Sequence, residues 1–348
     1  MLNDIVKPLT EWYRQNKRSL PWRDRHNAYY TWVSEIMLQQ TRVEAVKPYF
    51  RRFTEELPDP AALAECPEEK LLKLWEGLGY YNRVRNMQIA AQTVVEEYDG
   101  VLPASYEKLL SLKGIGSYTA GAIASIAYDI PVPAVDGNVL RVITRIIEDD
   151  GDIMKQSVKK RIENKLQEIM PGEYPGDFNQ ALMELGAVVC VPNGEPKCDV
   201  CPVAFCCGAR AHGTIDRFPV KAQKKDRKLE DRTVLVIQDG EKTAIRRRPP
   251  RGLLAGLYEL PNLKGHLSEE EVLESVKAMD LEPLRIEALP EAKHIFSHIE
   301  WRMTAYRVRV SSLEEIRQND LLFVGKRQSD DQYAIPSAFS AYTKYIRE

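Results

Sequence analysis

No run of about eighteen or more apolar residues occurs in the 348-residue chain, which excludes a membrane-spanning helix. The first residues, Met1 to Ile5, carry an acid and lack the basic-then-apolar layout of a secretion signal, so a cytoplasmic location is expected. Net charge is nearly missing too. The chain has 49 Lys and Arg against 51 Asp and Glu, a balance of −2, which rules out a uniformly cationic surface. Cysteine is scarce outside one stretch, with Cys66 standing alone ahead of Cys190. Alternating β-branched residues are rare before residue 210, and no internal repeat is present.

What charge there is comes in groups. Arg14, Lys17, Arg18, Arg23 and Arg25 crowd the start. Lys221, Lys224, Lys225, Arg227 and Lys228 form a second group, and Arg246, Arg247, Arg248 and Arg251 a third. Each is compatible with phosphate contacts, though a single such run is ordinarily solvated surface. The length calls for two or three domains. To about residue 210 apolar spacings of three and four predict helices, as in Trp32, Val33, Ile36, Met37 and in Leu71, Leu74, Trp75, Leu78. Breaks fall at Pro58-Asp59-Pro60, Asp99-Gly100, Asp150-Gly151 and Pro171-Gly172. After residue 229 the texture changes. Thr233 to Ile237 and Trp301 to Val308 predict strands, and Ser268 with Glu271 predicts a capping box at a helix start. The polar, basic stretch Phe218 to Lys228 reads as a linker.

Five of the six cysteines lie between Cys190 and Cys207. Clustered thiols in an intracellular chain point to a metal more than to disulfides. Cys198-Asp199-Val200-Cys201 is a C-x-x-C pair, with Cys190 before it and Cys207 after it. Four thiolates suit zinc or a 4Fe–4S cluster equally, and spacing alone leaves both open.

Leu112-Lys113-Gly114-Ile115-Gly116-Ser117-Tyr118 sits between two helical patterns. Gly114 and Gly116 permit a tight turn, and the free N–H groups of a helix starting near Ser117 suit a DNA phosphate. Two carboxylates stand out. Glu35 lies in a largely apolar helix, where burial raises a carboxyl's pKa towards that of a general acid at neutral pH. Asp136 follows a proline-bounded loop and precedes an apolar helix, a place where Asp ordinarily caps. Cleaving an N-glycosidic bond requires a protonated leaving base and a stabilised sugar cation, work that paired carboxylates do in O-glycosidases. The separation of 101 positions from Glu35 to Asp136 means that only the fold can unite them.

These residues resemble the helix-hairpin-helix, iron–sulfur DNA glycosylases, and within them the MutY-type adenine glycosylases. The likeness covers nearly the whole chain. Trp32 to Thr41 resembles the family's catalytic-glutamate motif, Ala134 to Val139 its aspartate motif, and Leu112 to Ala120 its hairpin. The cysteines resemble its cluster, which makes a 4Fe–4S cofactor on Cys190, Cys198, Cys201 and Cys207 the expectation. Seven residues separate Cys190 from Cys198, where the family has six, and Cys206 is an additional thiol.

The resemblance implies a multidomain chain. An all-α glycosylase core with its iron–sulfur module fills 1–215. The six-helix barrel with the hairpin covers about 25–133, and the cluster module about 1–24 with 134–215. A linker follows over 216–229, then an α+β Nudix-like domain over 230–348. It implies that Glu35 protonates N7 of a flipped adenine. Asp136 stabilises the oxocarbenium ion, as a counter-charge or by a covalent bond, while Tyr118 and Asn138 assist at the sugar. Arg18, Trp22, Arg23, Leu38, Val43 and Gln180 would form the adenine pocket. Gln40, Thr41, Leu78 and Tyr80 would meet the opposite strand, with Tyr80 as a wedge, although Trp22 and Tyr80 taken alone read as core aromatics. Gly252 to Pro261 resembles the stretch around the Nudix G-x-W-E-x-P, but the glutamate-rich catalytic box is missing, so this domain is expected to bind and not hydrolyse. Phe296, Ser297 and His298 resemble the family's loop at 8-oxoguanine.

The related endonuclease III branch carries a lysine nucleophile where this chain has Tyr118, and a phenol cannot form an imine. The expectation is therefore a monofunctional, monomeric adenine glycosylase acting on duplex DNA with an A:8-oxoguanine mispair, associated with the nucleoid if the source is bacterial. A bifunctional glycosylase/lyase for oxidised pyrimidines is disfavoured by Tyr118 and the extra domain. A non-catalytic DNA-binding module is disfavoured by Glu35 within its full motif.

Overall fold

The structure, a computed structural model, describes residues 2–23, 27–222, 226–311 and 321–346. Arg25, Lys224 and Lys225 of the basic groups lie outside them. The chain divides into two compact units, one of residues 1–66 with 82–223 and the other of 67–81 with 224–348. The helices run in the order α1 (Val6–Asn16), α2 (Ala28–Leu38), α3 (Val43–Glu56), α4 (Pro60–Glu65), α5 (Glu68–Leu74), α6 (Asn82–Tyr98), α7 (Tyr106–Ser111), α8 (Ser117–Tyr128), α9 (Gly137–Ile147), α10 (Gln156–Gln167), α11 (Pro175–Val188) and α12 (Gly208–Ala211). All but α5 belong to the first unit.

The first unit holds two helical cores. In one, α2 packs on α3 and α8, and α4 on α6, burying Trp32, Phe50, Phe53, Leu63, Val84 and Ile123. In the other, Leu9 and Tyr13 of α1 meet Val139, Val142 and Ile143 of α9, Ile162 and Leu166 of α10, and Phe178, Leu182 and Leu185 of α11. The cysteine-bearing loops lean on this second core. The sequence signals at element ends act as chemistry requires. Asp59 caps α4 by accepting from Ala62 N at 2.8 Å, with Pro60 in the first turn, where its missing N–H costs nothing. Gly114 has φ +79, and a Cβ there would stand 2.7 Å from Asn86 Cβ, so the turn between α7 and α8 needs glycine. Phe218 and Val220, in the stretch that reads as a linker, are tied to this unit: Arg145 Nε donates to Phe218 O, and Ile153 N to Val220 O.

The second unit is built on a mixed sheet of β1 (Lys228–Asp239), β2 (Lys242–Arg247), β3 (Tyr258–Glu259), β4 (Asn262–Lys264), β5 (Pro283–Ile295), β6 (Ile299–Val310) and β7 (Leu321–Gly325). The order is β3-β2-β1-β6-β5, with β4 added to β1 and β7 to β2. β1 and β6 pair in parallel from Lys228↔Ile299 to Gln238↔Arg309, and the other pairs are antiparallel. Alternation divides β1 between two cores. Val234 and Val236 join Trp301, Phe339 and Tyr342 on one face; Leu235 and Ile237 join Val272 and Val276 of α13 (Glu269–Lys277) on the other. Ser268 and Glu271 form the capping box at the head of α13. The segment 67–81 joins this unit through polar contacts: Tyr258 donates to Glu69, Lys73 to the Ser329 and Tyr333 carbonyls, and Ile335 N to Glu76.

Candidate active site

The site starts with α2. Asn27 caps it by accepting from Tyr30 N at 3.0 Å, and eight of its eleven residues are buried. A helix buried on nearly every face leaves Glu35 little contact with bulk water, and the residue is 7% exposed. At the far end Arg83 Nη1 donates to the carbonyls of Ile36 at 2.6 Å and Gln39 at 2.7 Å, satisfying groups that a helix end leaves open. The chain then turns through Gln40 at φ 62.

Tyr118, in the first turn of α8, donates its phenol to Glu35 Oε2. Asp136 is the N-cap of α9: Oδ1 accepts from Val139 N and Oδ2 from Asn138 Nδ2, both at 2.7 Å. The capping expected of such an Asp therefore holds, and it aims the carboxylate. Asn138 Oδ1 in turn accepts from Arg141 Nη2 at 2.9 Å, and Arg141 Nε donates to Cys190 O at 2.9 Å. The loop ahead of Asp136 is fixed by the fully buried Asn179, which accepts from Ala134 N and donates to Val132 O and Ser125 Oγ. Gly121 lets the Pro133 carbonyl pass 2.2 Å from where a Cβ would stand.

Glu35, Tyr118, Asp136 and Asn138 line one cavity of about 710 Å³, large enough for a nucleoside. All six residues expected of an adenine pocket, Arg18, Trp22, Arg23, Leu38, Val43 and Gln180, line it too, as do Gln40 and Thr41. Burial lifts the Glu35 carboxyl to about 7; the Tyr118 hydrogen bond opposes this, Asp136 adds to it and Arg23 opposes it. Burial also raises Asp136, against the N–H groups of Val139 and Asn138.

Sequence reading missed several wall residues, notably Met183, Glu184 and Ala187. Their spacing of three, four and seven from Gln180 was the available signal. Arg83 and Asn179 carried no local signal at all. Of the basic groups, Arg14, Lys17, Lys221, Arg227, Lys228, Arg247 and Arg251 are exposed, as solvated runs are, but several members are paired with acids. Arg14 pairs with Asp177, Arg18 and Arg23 with Glu184, and Arg246 and Arg248 with Glu259.

The other expected residues lie elsewhere. Gly116 caps α8, and nothing stands within 4 Å of a Cβ built there, which leaves the hairpin open to close approach. In the second unit Leu78 is buried, while Tyr80 is half exposed with φ 48. Phe296, Ser297 and His298 form the β5–β6 turn, closed by Phe296 N donating to Ile299 O. Phe296 packs edge-on against Trp301 at 5.0 Å, while Ser297 and His298 are exposed, with Ser297 Oγ 3.1 Å from His298 Nδ1.

Back in the first unit, Cys190, Cys198, Cys201 and Cys207 line one small cavity walled by Val142, Ile146, Leu185 and Val203. Arg145 reaches into it, donating to Cys190 Sγ at 3.2 Å. Cys206 does not line it; its thiol donates to Val203 O. Among the described residues no group of three or more His, Cys, Asp or Glu is set to hold a single metal ion. No helix there is long and apolar enough to cross a membrane.

A hairpin-linked helical fold with two carboxyls in one cavity is the arrangement of a base-excision DNA glycosylase, and comparison with known proteins agrees. Residues 33–171 match the family model of the HhH-GPD superfamily base excision DNA repair protein, and 233–345 match that of the NUDIX domain. A solved thermostable thymine-DNA glycosylase superposes with a TM-score of 0.54 and 25% identity over 60% of this chain and 96% of that one. Adenine DNA glycosylase of Mus musculus is 36% identical, covering 86% of this chain and 69% of that protein. Adenine DNA glycosylase of Buchnera aphidicola subsp. Acyrthosiphon pisum is 31% identical over 87% and 86%. The chain belongs to the adenine DNA glycosylase family, and it is a DNA N-glycosylase.

Proposed function

We propose that this enzyme hydrolyses the N-glycosidic bond of adenine mispaired with 8-oxoguanine or guanine in duplex DNA, without a lyase step. The observation that carries this is the pairing of Glu35 and Asp136 in one cavity, with carboxyls whose surroundings differ. Extruding the base costs a few kcal/mol, which contacts from Tyr80, the Gly114–Gly116 hairpin and the Gln40–Thr41 turn would offset. Glu35, protonated near neutral pH, gives its proton to N7 as the C1′–N9 bond breaks. Adenine leaves with both bonding electrons, and a cation develops at C1′. Asp136, held by Val139 N and Asn138, supplies the counter-charge, and water adds at C1′ with loss of a proton. Tyr118, at the position of the related lysine, serves as a hydrogen-bond donor to Glu35.

The four thiols that share one cavity fit a 4Fe–4S cluster, with Arg145 as a donor beside Cys190. Cys190, just past α11, and Cys198, Cys201 and Cys207 would hold it, and its binding would tie these loops together. The chain is taken to act as a monomer. In the second unit Ser297 has the exposure and hydrogen-bonding capacity to read the opposite base.

Single-turnover incubation with duplexes carrying A opposite 8-oxoguanine, A opposite G, and thymine glycol tests this reading. Adenine release from the first two and no attack on the third is expected. Release of thymine glycol, or stoichiometric borohydride trapping of a DNA adduct, overturns it. Absorbance near 400 nm from the purified protein tells an iron–sulfur cluster from zinc, whose thiolates do not absorb there.

A further inference from the structure

Glu184 is 1% exposed, on the face of α11 that lines the cavity with Gln180, Met183 and Ala187. A buried carboxylate must be partnered, and among the described residues the partners of this one, Arg18 and Arg23, come from the segment between α1 and α2. Arg18 grips it as a fork, Nε to Oε1 at 2.6 Å and Nη2 to Oε2 at 3.1 Å, and adds its backbone N to Oε1 at 3.3 Å. Arg23 Nη2 donates to Oε2 at 2.8 Å and Nη1 to the Arg18 carbonyl at 3.1 Å. Burial opposes ionisation of Glu184, but the hydrogen bonds and charges of Arg18 and Arg23 overcome it, so its carboxyl titrates below the usual range.

We propose that Glu184 is a positioning residue of the adenine site: its carboxylate orients the guanidiniums of Arg18 and Arg23 and cancels half of the positive charge they bring to the cavity. The consequence reaches Glu35, given the reading of that residue as the acid. Glu35 is faced by Tyr118 from α8, by Asp136 at the head of α9 and by Arg23, whose cation favours loss of its proton. With Glu184 neutral, the Arg23 cation acts on Glu35 without its counter-charge, and Glu35 deprotonates at lower pH.

The test is the pH dependence of single-turnover adenine release by the full chain. Glu184→Gln should move the alkaline limb down by about one pH unit, which lowers the rate at pH 7 about five-fold and leaves it nearly unchanged at pH 5. Glu184→Asp keeps the charge and should keep the limb in place. Asp177→Asn breaks the Arg14 pair on the same helix and should not move the limb. Arg18→Met removes a cation and should move it up. The double variant Arg18→Met/Glu184→Gln should return it towards wild type, and it carries the test should Glu184→Gln alone fail to fold. A rate loss uniform across pH in Glu184→Gln, or the same shift in Glu184→Asp, assigns Glu184 a purely structural role and overturns the proposal. Glu35→Gln tests the underlying reading separately. Full activity there removes the acid and this inference with it, whereas an inactive Glu35→Gln beside an unmoved limb in Glu184→Gln defeats the inference alone.

Discussion

Each unit buries one glutamate between two arginines. In the helical unit Glu184 holds Arg18 and Arg23; in the sheet unit Glu259 holds Arg246 at 2.8 Å and Arg248. Both carboxylates are 1% exposed. What surrounds them differs. Glu184 opens onto a cavity with two further carboxyls. Around Glu259, Arg248 lies 5.8 Å from the Trp301 ring centroid, and Arg246 donates onward to the Asn262 carbonyl, locking β2 to β3 and β4. The same charge motif serves reaction chemistry in one unit and sheet packing in the other. A buried ion triad therefore marks a site only where it faces a cavity and carboxyls with unequal surroundings.

The largest effect is expected where that inequality is removed. Glu35→Gln cannot deliver a proton and should slow adenine release by about 10²–10⁴-fold, the range ascribed to a positioned general acid. The wild-type rate should fall above about pH 7, because Glu35 carries its proton below that value and loses it above. Retention of full rate by Glu35→Gln would mean that the cavity works in another way. Asp136→Asn comes next. An Asn side chain can still accept from Val139 N, so α9 keeps its cap and the melting temperature should hardly change. The counter-charge is gone, and the rate should drop by about two orders of magnitude. A variant that melts early instead would reduce Asp136 to a cap.

Glu259→Gln breaks the comparison from the other side. One partner of a buried pair is lost while both arginines stay. Because Arg246 is a third exposed, the cost is expected near 3 kcal/mol, at the lower end for buried pairs, and is read from denaturant unfolding. The pH dependence of adenine release should not move. A shifted limb in Glu259→Gln would show that the two triads are not separable by their surroundings.

Much of the site was legible because its residues lie in contiguous motifs: Trp32 to Thr41 and Ala134 to Val139 each carry a carboxylate with its own helix. The walls were less so. Arg83 and Asn179 act on backbone carbonyls far away in the chain, and no local pattern encodes that. Leu71, Leu74, Trp75 and Leu78 announced apolar spacing, yet periodicity fixes a buried face without naming the core it joins, and the structure groups their segment with the sheet unit. Cys206 and Cys207 are indistinguishable by composition. Consecutive side chains leave a turning backbone in different directions, and only Cys207 lines the cavity of the other three thiols. Within the basic groups the sequence shows the cations without their distant partners, so the buried Glu184 and Glu259 that hold Arg18, Arg23, Arg246 and Arg248 could not be read from the runs themselves.

The smallest expected effect lies at the β5–β6 turn, and it sharpens what the sheet unit contributes. Phe296 is held against Trp301, so the turn is anchored at one end while Ser297 and His298 remain exposed at its tip. A hydroxyl that reads one additional acceptor or donor on the opposite base is worth about 1 kcal/mol, close to five-fold. Ser297→Ala should therefore reduce the preference for A:8-oxoguanine over A:G by about that factor, measured as the ratio of single-turnover rates at subsaturating enzyme. The saturated rate on A:G and its pH limb should stay where they are, since neither depends on the turn. A Ser297→Ala enzyme that keeps its full preference would shift lesion reading to other groups of the unit, with His298 the first to examine because its Nδ1 already faces the Ser297 hydroxyl.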